Sequence, residues 1–112
     1  MAEYYEKSDL EQFGESKLAE LQEEHWNNFL NYYGNAMGEG KLSARTKALI
    51  ALTVAHVEKC PYCIEAYTTT CLDMGISKEE MMEAVHVGAS MQAGITLVTS
   101  VQMKKLIDEM EF

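Results

Sequence analysis

The chain has 112 residues, 47% hydrophobic and 24% charged, and its 18 acidic against 9 basic side chains leave a formal net charge of -9. That length suits a single domain over residues 1–112, able to bury roughly two thirds of its unfolded surface. The acidic balance excludes partners made of phosphate, whose recognition needs clustered Lys and Arg, so neither nucleic acid nor an anionic membrane is expected to bind.

The opening residues Met1-Ala2-Glu3-Tyr4-Tyr5-Glu6 carry neither a basic leader nor an apolar signal core, and no unbroken run of 18 apolar residues occurs after them. A cytoplasmic location is expected. Ser8-Asp9-Leu10-Glu11 fits a capping box that opens a short first helix, limited by Gly14. A longer helix is predicted over Ser16 to Met37, where Leu18, Leu21, His25, Trp26, Phe29, Leu30 and Tyr33 recur at three- and four-residue steps. Gly34, Gly38 and Gly40 then crowd a turn, and Ser43 is placed to cap a third helix to about Lys59. Its centre, Ala48 to Ala55, has no polar face, which suits the middle of a bundle or an oligomer.

Pro61 suits the first position of a fourth helix, where its missing N–H is not needed, and Gly75 comes directly after the expected end at Met74. Ser77-Lys78-Glu79-Glu80 forms another capping box, opening a fifth helix to about Gln92. Gly94 is expected to end it, with a sixth helix from Ile95 to Met110. No alternating run suggests a hairpin. The fold class is therefore all-α, a bundle of about six helices. A chain of this size has limited interior for both its apolar third helix and its aromatic second, so an oligomer is expected.

The three cysteines are an odd set, so they are not a structural disulfide framework. Cys60 and Cys63 stand three apart at a helix start, where their β-carbons share one face and a disulfide can close. The helix end also favours the thiolate, by about 0.3–1 kcal/mol at an exposed site. Fuller activation needs another hydrogen bond or a base. Tyr67 lies one turn beyond Cys63 and offers a phenol; His56, one turn before the pair, and His86, midway along the fifth helix, are the candidate proton shuttles. Cys71 sits on an apolar stripe and is expected to be core.

From Ser43 to Met103 the chain resembles the carboxymuconolactone decarboxylase superfamily, in its alkylhydroperoxidase D-like branch. The resemblance rests on Leu42 to Leu52, on Cys60-Pro61-Tyr62-Cys63, and on the Gly75, Glu79-Glu80 and Glu83-Ala84 spacing. Within the branch it is most similar to arsenosugar biosynthesis-associated peroxidase-like proteins, through Cys60 to Thr68, Met82 to Ala89, Tyr4-Tyr5 and Phe13-Gly14. The resemblance implies trimers or hexamers, with Cys63 attacking a peroxide, Cys60 resolving it, and a dithiol protein or small thiol as reductant. Peroxidases of the branch place His four residues after the second cysteine and Glu twelve before the first, where this chain has Tyr67 and Ala48. A relay rebuilt from Tyr67 with His56 or His86 is therefore expected, and the link to arsenic enters only through the resemblance.

The expected function is a thiol-dependent peroxidase-like enzyme or disulfide oxidoreductase, acting on a peroxide or disulfide without a cofactor or metal. The alternative is a module that holds a metal or metalloid on the same thiols without turnover, since soft thiolates prefer soft partners.

Overall fold

The computed structural model describes residues 6–111. Among them are five α-helices, no strand, and one short 3₁₀ turn. The helices are α1 (Lys7–Gly14), α2 (Glu23–Met37), α3 (Ala44–Val57), α4 (Pro61–Asp73) and α5 (Lys78–Met110), with the 3₁₀ turn at Lys17–Glu20 between the first two. Tyr4 and Tyr5 lie outside the described residues.

Local chemistry starts the inner helices where expected. The Ser43 hydroxyl accepts the Thr46 N–H at 3.0 Å, and Ser77 and Glu80 form the reciprocal box that opens α5. Lys47 Nζ donates to the Gly38 carbonyl at 2.7 Å and fastens the turn from α2 into α3.

Three expected boundaries are corrected. The box that opens α1 is set two residues earlier than Ser8 and Glu11: the Glu6 N–H donates to Asp9 Oδ2 at 3.3 Å. The helix expected over Ser16 to Met37 is interrupted by Ser16 at φ 59° and by the 3₁₀ turn. Reversal there lets Phe13 meet Trp26 edge to face, ring centroids 5.0 Å apart, and Trp26 passes the stack on to Phe29 at 5.4 Å. The break at Gly94 does not occur. A glycine inside a helix costs about 0.5–1 kcal/mol, too little to stop a chain in which Thr96 is followed at position 99 by Thr rather than by a Glu that could close a capping box. The fifth and sixth predicted helices are thus one 33-residue rod.

The core gathers around α3, which packs against both α4 and α5. Ala48, Leu52, Cys71 and Ile76 are buried together, with Leu49, Tyr67 and Met81 packed against them. The α3–α5 contact depends on Gly88, where a Cβ would come within 2.9 Å of the Thr53 methyl and 3.0 Å of a Val57 methyl. At this approach the Thr53 hydroxyl is 3.1 Å from the Ala84 carbonyl.

Beyond the Gln92 side chain, which reaches the Val57 carbonyl, α5 runs on unaccompanied. Val87, Met91, Ile95 and Val98 form an apolar stripe and are more than half exposed. The radius of gyration is 19.1 Å, against about 13 Å for a compact chain of this length. By length and composition α5 could also cross a membrane, and only 6% of its apolar window is buried within the chain.

Candidate thiol redox site

A single reverse turn delivers the thiol pair. Past the end of α3 the Lys59 N–H donates to the His56 carbonyl at 3.2 Å and the Cys60 N–H to the Ala55 carbonyl at 2.9 Å. Those two bonds make a Schellman motif, which needs a left-handed residue at its penultimate position. Lys59 fills it at φ 55°, at a cost of about 1–2 kcal/mol that glycine would avoid.

Cys60 then becomes the N-cap of α4 and Pro61 its first helical residue. The Cys60 Sγ accepts the Cys63 N–H at 3.2 Å, so one amide of the helix end points at a sulfur. The two half-buried cysteines lie side by side, with Cα atoms 5.3 Å apart, within the range a disulfide spans.

A cleft of about 350 Å³ opens over the pair, lined by Asp9, Leu10 and Phe13 of α1 together with Cys60, Tyr62 and Cys63. Among the described residues, two polar contacts dock α1 on α4. The Tyr62 hydroxyl donates to Asp9 Oδ2 at 2.8 Å, and Lys7 Nζ lies 3.6 Å from Glu65.

The sequence-predicted site residues divide. Cys60 and Cys63 come together; Tyr67, His56 and His86 do not line the cleft with them. Tyr67 packs on the core that holds Ala48, so the two positions where the resembled peroxidases carry His and Glu share one apolar cluster. The half-buried His56 has its Nδ1 2.9 Å from the Leu52 carbonyl, while His86 is exposed on α5. Sequence reasoning missed Asp9, Leu10, Phe13 and Tyr62. Within the motif Tyr62 reads as a spacer, and Asp9 reads as part of a cap.

Cys71, the third cysteine, is fully buried, and burial pushes its thiol up, with Arg45 pulling the other way. A thiol of that kind is inert packing. Among the described residues no three His, Cys, Asp or Glu side chains come together in a way that could hold a metal ion.

Residues 24–103 match the model of the carboxymuconolactone decarboxylase family. The matched stretch contains the thiol pair and leaves out α1 and the 3₁₀ turn. The chain is 40% identical over 73 residues to "Uncharacterized protein 4 in cox locus" of Paracoccus denitrificans, an alignment that covers 65% of this chain and 66% of that relative. A crystal structure of a structural-genomics protein from Methanobacterium thermoautotrophicum superposes with a TM-score of 0.73 at 29% identity, over 77% of this chain and 97% of that one.

Proposed function

The chain belongs to the carboxymuconolactone decarboxylase family, and from that premise we propose that it is a thiol-dependent oxidoreductase cycling Cys60 and Cys63 between dithiol and disulfide. The observation that carries the reading is the position of the pair: two half-buried thiols at the start of α4, beneath a cleft, with the Cys60 sulfur accepting the Cys63 N–H.

That placement supports a complete cycle. A Cys63 thiolate attacks the distal oxygen of a peroxide, the O–O bond breaks, and the departing oxygen takes a proton to leave as an alcohol or water. Cys63 is then a sulfenic acid. Cys60 attacks the Cys63 sulfur and expels hydroxide, which takes up the Cys60 thiol proton and leaves as water, closing the disulfide. A dithiol donor next attacks Cys63, and Cys60 departs as a thiolate stabilised by the Cys63 N–H, the better leaving group of the two. The donor closes its own disulfide as its protons pass to the pair. With a disulfide substrate, the first step is instead exchange through a mixed disulfide.

Tyr67 sits in the core and the histidines lie away from the cleft lining, so the proton reaching the departing oxygen comes from solvent or from the Tyr62 side of the cleft. The working unit is a homo-oligomer, a trimer or hexamer, in which a partner covers the apolar stripe of α5. Gln92, Thr96, Thr99 and Gln102 interrupt that rod and suit a protein partner better than lipid. Light scattering on the purified chain, with Val98→Asp as the disrupting variant, tests that part.

The chemistry is tested by mass spectrometry after one equivalent of hydrogen peroxide under thiol-blocking conditions. Wild type is expected to gain a Cys60–Cys63 disulfide, and Cys60→Ser a sulfenic acid on Cys63. A pair inert to peroxide and to disulfides, binding a thiophilic metal or metalloid in stoichiometric amount instead, would replace the redox cycle with a binding role.

A further inference from the structure

We propose that Asp9 sets the charge preference of the thiol cleft, admitting neutral and cationic oxidants and disfavouring anionic ones. The inference rests on the redox reading above and adds to it the class of substrate that reaches the pair.

Among the described residues that line the cleft, Asp9 is the one charged side chain; its companions are Leu10, Phe13, Tyr62 and the two cysteines. Asp9 is exposed at the rim of the cleft, so its charge meets an incoming oxidant before the thiols do and stays open to screening by salt. The carboxylate is also held in place. Its Oδ2 accepts from the Tyr62 hydroxyl at 2.8 Å and lies 3.3 Å from the Glu6 N–H that caps α1. The nearby cation of α1, Lys7, is engaged with Glu65. Asp9 belongs to the segment before residue 24, so the filter lies outside the part of the chain that matches the family.

The reaction that reads the preference is thiol–disulfide exchange. One cysteine thiolate attacks a disulfide R–S–S–R and expels R–S⁻. The second cysteine, losing its proton, attacks the mixed disulfide and expels the other R–S⁻. The protein ends as the Cys60–Cys63 disulfide, the substrate as two thiols, and the two protons of the pair pass to them.

The test uses the full-length reduced protein and two probes of opposite charge, oxidised glutathione and cystamine, with formation of the Cys60–Cys63 disulfide monitored by alkylation and mass spectrometry. Wild type is expected to react faster with cystamine. Asp9→Asn, which keeps an oxygen for the Tyr62 hydroxyl, is expected to shift the cystamine-to-glutathione rate ratio by about tenfold, from the Coulomb energy of one nearby charge. Asp9→Glu restores the carboxylate and the preference. Salt at about 1 M, where the screening length falls to roughly 3 Å, is expected to bring the wild-type ratio towards that of Asp9→Asn. An unchanged ratio in Asp9→Asn overturns the proposal, as does an equal shift in Glu24→Gln, an exposed α2 control that removes the same charge from the bulk. If Cys60→Ser and Cys63→Ser consume both probes as fast as wild type, the redox reading itself falls, and the filter with it.

Discussion

Helix α4 carries a cysteine site at each end, and the two ends are built from the same backbone device for opposite purposes. Both are approached through a Schellman turn. At the far end the Gly75 N–H donates to Leu72 and the Ile76 N–H to Cys71, each at 3.0 Å, with Gly75 at φ 76°. At the near end Lys59 does what Gly75 does, and the residue after it is Cys60 rather than a core isoleucine. The far turn seals Cys71 and Ile76 into the core; the near turn sets Cys60 and Cys63 under an open cleft. On the proposed reading, reactivity is set by the residue that comes after the turn and by which end of the helix points at the sulfur. Both ends belong to one helix, and all three residues are cysteines.

The largest test of that contrast is chemical. Cys63→Ser is expected to reduce peroxide turnover to background, whereas Cys71→Ala keeps turnover within about twofold and costs about 1–2 kcal/mol of stability, the loss expected for trimming a small buried side chain. Parallel kinetics and urea unfolding would read both, and a Cys71→Ala variant that is folded but inactive would break the comparison. A second substitution asks whether the pair responds to helix packing in general. Gly88→Ala places a methyl group against Thr53 and Val57, and overpacking of this kind costs about 1–3 kcal/mol. Turnover per folded molecule should hold.

The turns themselves can be exchanged. Gly75→Ala is expected to cost about 1 kcal/mol, because alanine resists a positive φ. Lys59→Gly relieves the same strain and, after allowing for the freer unfolded chain, is expected to gain about 0.5 kcal/mol. Urea midpoints that move in the same direction for both variants would contradict the shared geometry.

The smallest effect is electrostatic, at the start of α5 just past the sealed end. Arg45 bonds the Glu80 carboxylate at 2.6 Å, and this bond, with help from Ser77, lowers the Glu80 pKa to about 2 from 4.5. A carboxylate with a lowered folded-state pKa stabilises the fold fully above its unfolded value. That contribution is lost as pH falls from about 4.5 through about 2. The stability difference between wild type and Glu80→Gln should accordingly be present at neutral pH and shrink as the solution is acidified through that window, as read from urea midpoints.

How much of the fold was legible in the sequence depended on distance along the chain. Ser43, Pro61 and Ser77 mark helix starts through contacts with residues three away or nearer, so α3, α4 and the opening of α5 could be read directly. Gly94 misled because glycine ends a helix only where the next residues can take over the freed bonds. Gly75-Ile76-Ser77 is followed by Glu80, which closes a capping box with Ser77, whereas Gly94-Ile95-Thr96 has Thr99 in that place and no box can close. The interruption at Ser16 answers to the meeting of Phe13 with Trp26, a tertiary contact that helical periodicity does not contain. The site was legible by halves. The thiol pair is a local motif, but its cleft depends on Asp9 meeting Tyr62, 53 residues away, and no spacing rule reaches that far.

Helix α1 buries none of its own residues, whereas α3 buries Ala48, Leu52 and Ala55. It is attached by surface polar contacts, by a few apolar side chains at the cleft and by Phe13 stacked on Trp26, so its free energy of detachment is expected to be a fraction of the global one. Backbone amides of residues 7–14 should exchange with deuterated solvent through such partial openings, while those of α3 wait for the whole molecule to unfold. The wall over the thiols is thus expected to melt as a unit of its own, and the time it spends away from α4 would control how often a bulky reductant meets the disulfide.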